Sequence, residues 1–324
     1  MTWKVWTYPT SLTIGFQRSV VVEELDPALI AAVDQTEAVR YRPRTRYDRT
    51  MRYFATVSLG DSRSAIKASD VLVKVHAKAV GIEPLSGNPY DANDPHSQLW
   101  IHLTAWHSIL YAYERYGPGR LTAAEESQYW EECAVAAELQ TCSPDDVPRS
   151  REGIRQYFEE MRPKLAGSEA AQSMMDHLLN AEVMLPPAPR ALRPATWIIN
   201  KAMRLATIAT MPQWMRKMAG LRQSRFTDAL ITPVMKVNFA VASRSKRLQL
   251  FLLPLLTPST LDVVAPVFLN VPPQNPRTYT PAEAREMYGV LRPTEEYERF
   301  KGLVANKAAQ REGLDFEEVL GPVA

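Results

Sequence analysis

The chain has 324 residues, 46 % hydrophobic and 23 % charged, with a formal net charge of +2. That is ordinary globular composition, long enough for one large domain or two small ones, with a core that needs no staples. Near-zero charge predicts no nucleic-acid partner and gives no charge-driven attraction to an acidic membrane. Cys133 and Cys142 stand nine residues apart without CxxC or metal-type spacing, and read as reduced thiols in a cytoplasmic protein. The first residues, Met1 to Pro9, lack the cationic and apolar regions of a leader, which also predicts a cytoplasmic location. The most apolar run, Leu248 to Val271, is interrupted by Pro254, Pro258, Asp262, Pro266 and Asn270, and falls short of a spanning helix.

In chain order, residues 1–20 read as loop or arm. Asp26-Pro27 pairs an N-cap with a first-turn proline, so a short helix runs to about Gln35. The Arg42–Asp48 stretch leads into a helix from about Tyr47 to Leu59. Gly60-Asp61-Ser62 stops it and caps the next. There Ile66, Ser69, Leu72, Val73, His76, Ala79 and Val80 share one stripe, with Lys67, Lys74 and Lys78 opposite and Gly81 at the end. The stretch from Gly81 to Asp94 reads as loop. Asp94-Pro95 opens a long helix to about Tyr116, apolar nearly all round and therefore central. Thr122 to Glu125 is a capping box for a helix to about Leu139. Ser150 and Ser168 cap helices to about Met161 and Val183. Ala195 to Met218 reads as helix broken at Pro212, and 225–252 as helix. Beyond Pro254 a proline-rich tail wraps over the body, with short helices near Pro281–Val290 and Thr294–Glu312. The expectation is an all-α protein of about ten helices, with a helical domain at 1–220 and an extension at 221–324 packed on the same body.

Three of the five histidines lie among apolar residues between Arg46 and His107. His76 on its stripe is either a satisfied core residue or an axial haem ligand, since a neutral imidazole on a rigid helix can hold iron in an apolar slot. Arg46, Arg49 and Thr50 stand at i, i+3, i+4 along one helix face. Cations at a helix N-terminus oppose the macrodipole, so this cluster is either a solvated basic start or a site for an anionic partner. His102 and Trp106 share a face of the long helix. His102 and His107 diverge by about 140° and make a poor metal pair. No HExxH, GxGxxG, P-loop or GxSxG motif is present.

Arg46-x-x-Arg49-Thr50-x-x-Tyr53, Gly60, Val75-His76-x-x-x-Val80-Gly81, Tyr90-x-x-x-Asp94-Pro95 and Trp100-x-His102-x-x-x-x-His107 occur in that order. Together with Val147-Pro148-Arg149-Ser150 and Tyr157-Phe158, they resemble the bacterial domain shared by rubber oxygenases (latex clearing proteins), MpaB-type oxygenases and many actinobacterial proteins. The resemblance covers roughly residues 20–220. It implies a globin-like, all-α core holding haem b, with His76 as the axial iron ligand and His102 and Trp106 beside the cofactor. It also implies Arg46, Arg49 and Thr50 on the distal side. The lysine that can ligate iron in characterised rubber oxygenases is replaced here by Arg49, which keeps its proton and should only donate hydrogen bonds. Asp26-Pro27 replaces the histidine-proline of many relatives, and no residue matches the upstream acidic residue of the rubber oxygenases.

The expected function is a haem-dependent oxidoreductase of oxygenase, peroxygenase or dehydrogenase type. Its substrate would be a small apolar or aromatic molecule, with dioxygen or peroxide as co-reactant. A haem-binding protein without turnover and a cofactor-free helical interaction module stay open beside it. Ala195–Met218, with Trp197, Ile198, Ile199, Met203, Met211, Trp214 and Met218 beside Lys201, Arg204, Arg216 and Lys217, reads as a core helix with a basic outer face or as an interfacial membrane helix. Nothing in the sequence specifies an oligomeric state.

Overall fold

The structure, a computed structural model, describes residues 1–36, 38–180 and 184–303. It is 72 % helical, and the strands of the described residues form one two-stranded ribbon, so the chain is all-α. The first twenty residues are not an arm. They form α1 (Thr2–Trp6), a π-turn (Ser11–Gly15) and the start of α2 (Phe16–Glu23). Val5, Ile14, Val21 and Val22 are fully buried, so tertiary packing rather than local propensity selects these short helices. Gly15 allows the π-turn its close approach: a Cβ there would meet Ile109 Cα at 3.0 Å and Thr10 O at 3.2 Å.

The capping signals place most of the next boundaries. Asp26 accepts hydrogen bonds from the Ala28 and Leu29 amides at the start of α3 (Pro27–Thr36). After α4 (Ala38–Tyr41), α5 (Pro43–Leu59) begins ahead of Tyr47 because Pro43 is pre-organised for the first turn. Asp61 accepts from the Ser64 amide at 2.9 Å and caps α6 (Ser62–His76). This helix ends at His76 rather than Gly81. The chain then enters an antiparallel ribbon, β1 (Val80–Ile82) and β2 (Pro89–Asp91), with Gly81 opposite Tyr90. A Cβ at Gly81 would lie 2.8 Å from the Tyr90 hydroxyl, so the ring fixes that position as glycine. Strands of three residues are too short to leave a readable alternation.

α7 (Pro95–Tyr116) is the central helix. Asp94 caps it, and Trp100, Leu103, Ala112 and Tyr116 along it are all fully buried. α8 (Ala123–Ala137) opens with the Thr122–Glu125 capping box, α9 (Arg151–Met161) with Ser150 and α10 (Glu169–Leu178) with Ser168. α10 ends at Leu178 with Leu179 as its C-cap, short of the expected Val183, a position outside the described residues. Pro212 separates α11 (Arg193–Thr210) from α12 (Gln213–Met218). The expected helix 225–252 is two, α13 (Arg225–Ser243) and α14 (Lys246–Leu256), because Ser245 accepts from the Leu248 amide and starts a new helix. α15 (Leu261–Phe268) and α16 (Pro281–Tyr288) follow, the latter with a Thr280–Glu283 capping box. Residues 293–303 are helical, and the expected continuation to Glu312 lies outside the described residues.

α2 packs on α7, α5 on α6, and α13 on both α11 and α7. α15 and α16 lie against α5 and α6. Cys133 and Cys142 are free and buried.

Candidate functional site

α2, α5, α6 and α7 surround a cavity of about 2050 Å³. That is about twice the upper end of the ~300–1,000 Å³ usual for small-molecule sites. α2 contributes Phe16, Val20 and Glu23, with Glu24 just after it; α5 contributes Arg46, Thr50, Tyr53 and Phe54. α6 contributes Leu72, Val75 and His76, and α7 contributes Gln98, Ile101, His102, Ala105 and Trp106. The tail supplies another wall through Val271, Pro272, Pro276 and Tyr279. The α6 stripe therefore divides. Ser69 and Val73 are buried outside the cavity lining, while Ile66, Leu72 and His76 line the cavity, as does the neighbouring Val75, which is 58 % exposed.

His76 is the last residue of α6. Its Nδ1 accepts a hydrogen bond from Gln98 Nε2 at 3.1 Å. The same Gln98 nitrogen donates to Ala92 O, so the amide is anchored on the turn before α7. Nε2 of His76 has no hydrogen-bond partner among the described residues. Burial, reinforced by the nearby Arg46 charge, pushes this imidazole down to about 4, so it is neutral at pH 7.

His102 is closed on both sides. Its Nε2 donates to Cys133 O at 2.8 Å and its Nδ1 accepts from Gln140 Nε2 at 3.1 Å. Burial pushes it down to about 4 as well. It touches the cavity as part of the wall, with no ring nitrogen to spare. Trp106 is held by rings on several sides: its centroid lies 5.1 Å from Trp6, 5.0 Å from Tyr129 and 5.8 Å from His102. His107 lies elsewhere, where its Nδ1 accepts from the buried Arg18 at 3.3 Å.

The three α5 residues do not stay together. Arg46 and Thr50, one turn apart, line the cavity and Arg49 does not, although both arginines are exposed. Thr50 Oγ1 donates to Arg46 O at 2.8 Å. The Arg46 guanidinium is pushed down by burial and held up in part by Glu24 and Glu23. Arg46 makes no ion pair within 4 Å among the described residues.

Glu23 and Glu24 were not singled out by any motif. Glu23 accepts from Ser19 and from Thr104 Oγ1 at 2.9 Å, and burial pushes it up to about 7. Glu24 is 3 % exposed, its Oε2 has no partner, and burial with the adjacent Glu23 charge pushes it up to about 8. Two adjacent carboxyls that hold and release a proton near neutrality thus stand on a cavity with a cationic arginine. The sequence signal was an adjacent acidic pair at the end of an apolar helix, visible only once residues 16–23 are known to be helix.

Among the described residues no group of three or more His, Cys, Asp or Glu gathers as for a metal ion, and no helix is long and apolar enough to cross a membrane. No curated protein and no solved structure matches the chain. A family model does: residues 3–244 match the ER-bound oxygenase mpaB/B'/rubber oxygenase catalytic domain. That span holds His76, Gln98, Arg46, Thr50 and both buried glutamates, and runs past the expected boundary at 220. The chain belongs to this family of oxygenase catalytic domains.

Proposed function

We propose that this chain is a haem b-dependent oxidoreductase of the oxygenase type, acting on a small apolar or aromatic molecule. The observation that carries this reading is His76: a neutral imidazole at a helix end, with one nitrogen fixed by Gln98 and the other left without a protein partner on a large, mostly apolar cavity. A haem needs one such protein ligand, and the donor set fits. Haem b, when bound, supplies the iron that activates dioxygen or peroxide. The helical body would then hold the cofactor in globin-like fashion.

The chain's own residues have definable tasks. As the hydrogen bonds stand, the Gln98 amide N–H at Nδ1 places the His76 proton on Nε2. For Nε2 to hold iron the proton would sit on Nδ1, with the Gln98 amide oxygen accepting it in place of the amide N–H. Arg46 offers a fixed positive charge to an anion on the same cavity, such as a cofactor carboxylate or a reduced oxygen species. The Thr50 hydroxyl is positioned one turn from it. Glu24 and Glu23 can take up or deliver a proton near neutral pH. Phe16, Val20, Phe54 and Trp106 exclude water and favour an apolar substrate.

The test is an absorption spectrum of protein expressed with a haem precursor, followed by a pyridine haemochrome assay. One haem b per chain with a Soret band supports the reading. Colourless protein that refuses added haemin overturns it.

A further inference from the structure

The segment from Met184 to Leu261 has a charge unlike the rest of the chain. It holds twelve arginines and lysines and one acidic residue, Asp228, in a protein whose net charge is only +2. Asp228 is taken by Arg216 at 2.8 Å and Arg204 pairs outward with Asp176. Most of the other cations, among them Arg193, Lys201, Arg222, Arg225, Lys236 and Arg247, are exposed and without an ion pair among the described residues.

The same segment leaves apolar side chains uncovered. α13 buries one narrow strip, Ile231, Met235 and Phe239. On the opposite side Phe226, Leu230, Val234, Val237 and Val241 fall within an arc of about 80°, and all are exposed, Phe226 at 78 %. α11, packed beside α13, exposes Trp197, Ile198 and Ile199 at its first turns, while its second half is buried. α14 exposes Leu248, Phe251, Leu252 and Leu255. The expected interfacial character of 195–218 is thus confined to the start of α11, and the longest apolar stripe is on α13.

We infer that α13, with the start of α11 and with α14, docks the protein on the surface of an anionic lipid bilayer. An apolar stripe rimmed by cations suits the headgroup boundary: the aliphatic and aromatic side chains enter it, and Arg225, Lys236 and Arg247 meet the lipid phosphates. A second copy of the chain is a poor partner for this face, because its own unpaired cations would be brought opposite like charges. The helices lie on the surface rather than cross it. This inference stands independently of the haem reading.

The full chain is sedimented with phosphatidylcholine vesicles carrying about one-third phosphatidylglycerol, and with phosphatidylcholine alone. Binding is expected to the anionic vesicles only, and to weaken as salt is raised. Val234→Glu/Val237→Glu and Arg225→Glu/Lys236→Glu should each lower it at least about tenfold. All four side chains are exposed, so unchanged circular dichroism and thermal unfolding check that the fold is kept. Absence of binding to anionic vesicles overturns the inference, as does equal binding by the variants. A concentration-dependent dimer abolished by Val234→Glu/Val237→Glu, without vesicle binding, would assign the face to a second copy instead.

Discussion

His76 and His102 look alike in the sequence, each a histidine on an apolar helix stripe, and both are neutral with ring pKa near 4. Each also receives a glutamine amide at Nδ1, from Gln98 and Gln140, at the same 3.1 Å. They differ at the other nitrogen. His102 Nε2 is spent on Cys133 O, inside the contact between α7 and α8. His76 Nε2 meets only the cavity, because α6 ends there and the chain swings away into the ribbon. A buried histidine becomes a candidate ligand through what its surroundings leave unsatisfied, and the residue type alone does not tell the two apart.

The largest effect expected from this contrast is on cofactor content. His76→Ala should abolish haem retention while the fold persists, read as loss of the Soret band with unchanged far-ultraviolet circular dichroism. His102→Ala should keep haem but strand the buried Cys133 carbonyl and leave a cavity, lowering unfolding free energy by about 2–4 kcal/mol in urea titration. Reversed results would exchange the two assignments.

The two arginines of α5, one lining the cavity and one not, give a second contrast. Arg46→Ala should slow the reaction of the haem protein with peroxide by about ten- to a hundredfold in stopped flow, whereas Arg49→Ala should leave it unchanged. A comparable loss at Arg49 would mean that this side chain reaches the cofactor after all.

The glutamines give a smaller pair. Gln98→Leu should weaken haem affinity by about tenfold, measured by transfer to apomyoglobin, because the ring loses its orienting partner. Gln140→Leu should leave haem affinity alone and cost about 1 kcal/mol of stability.

Glu24 carries an effect whose sign is easily checked. Its folded pKa, about 8, lies above its unfolded value. Between those two values the native state holds the extra proton, so this group's contribution to stability is present at low pH and lost as pH rises through 8. Glu24→Gln should flatten that part of the profile and stabilise the protein at pH 8 by on the order of 1–3 kcal/mol in thermal or urea unfolding. The buried histidines act oppositely: with folded pKa near 4, their contribution is lost as pH falls below about 6.5.

Where a helix begins was legible at Asp26, Asp61, Asp94, Thr122, Ser150 and Ser168, because an N-cap acts through hydrogen bonds to amides two or three residues away. The all-α class followed from those caps and from helical spacing, and the family from the ordered motifs between Arg46 and His107. The helical start of the chain was not legible, since α1 and the π-turn are too short to persist without the core that buries Val5 and Ile14. Nor was the fate of the α5 cluster, where spacing puts three side chains near one face but only packing decides that Arg46 and Thr50 line the cavity and Arg49 does not. Local spacing determined which residues share a helix face. Tertiary structure alone decided which nitrogen of which histidine is left open, that Glu23 and Glu24 share that cavity, and that the tail walls it, because each depends on segments distant in the chain and on how much water they exclude.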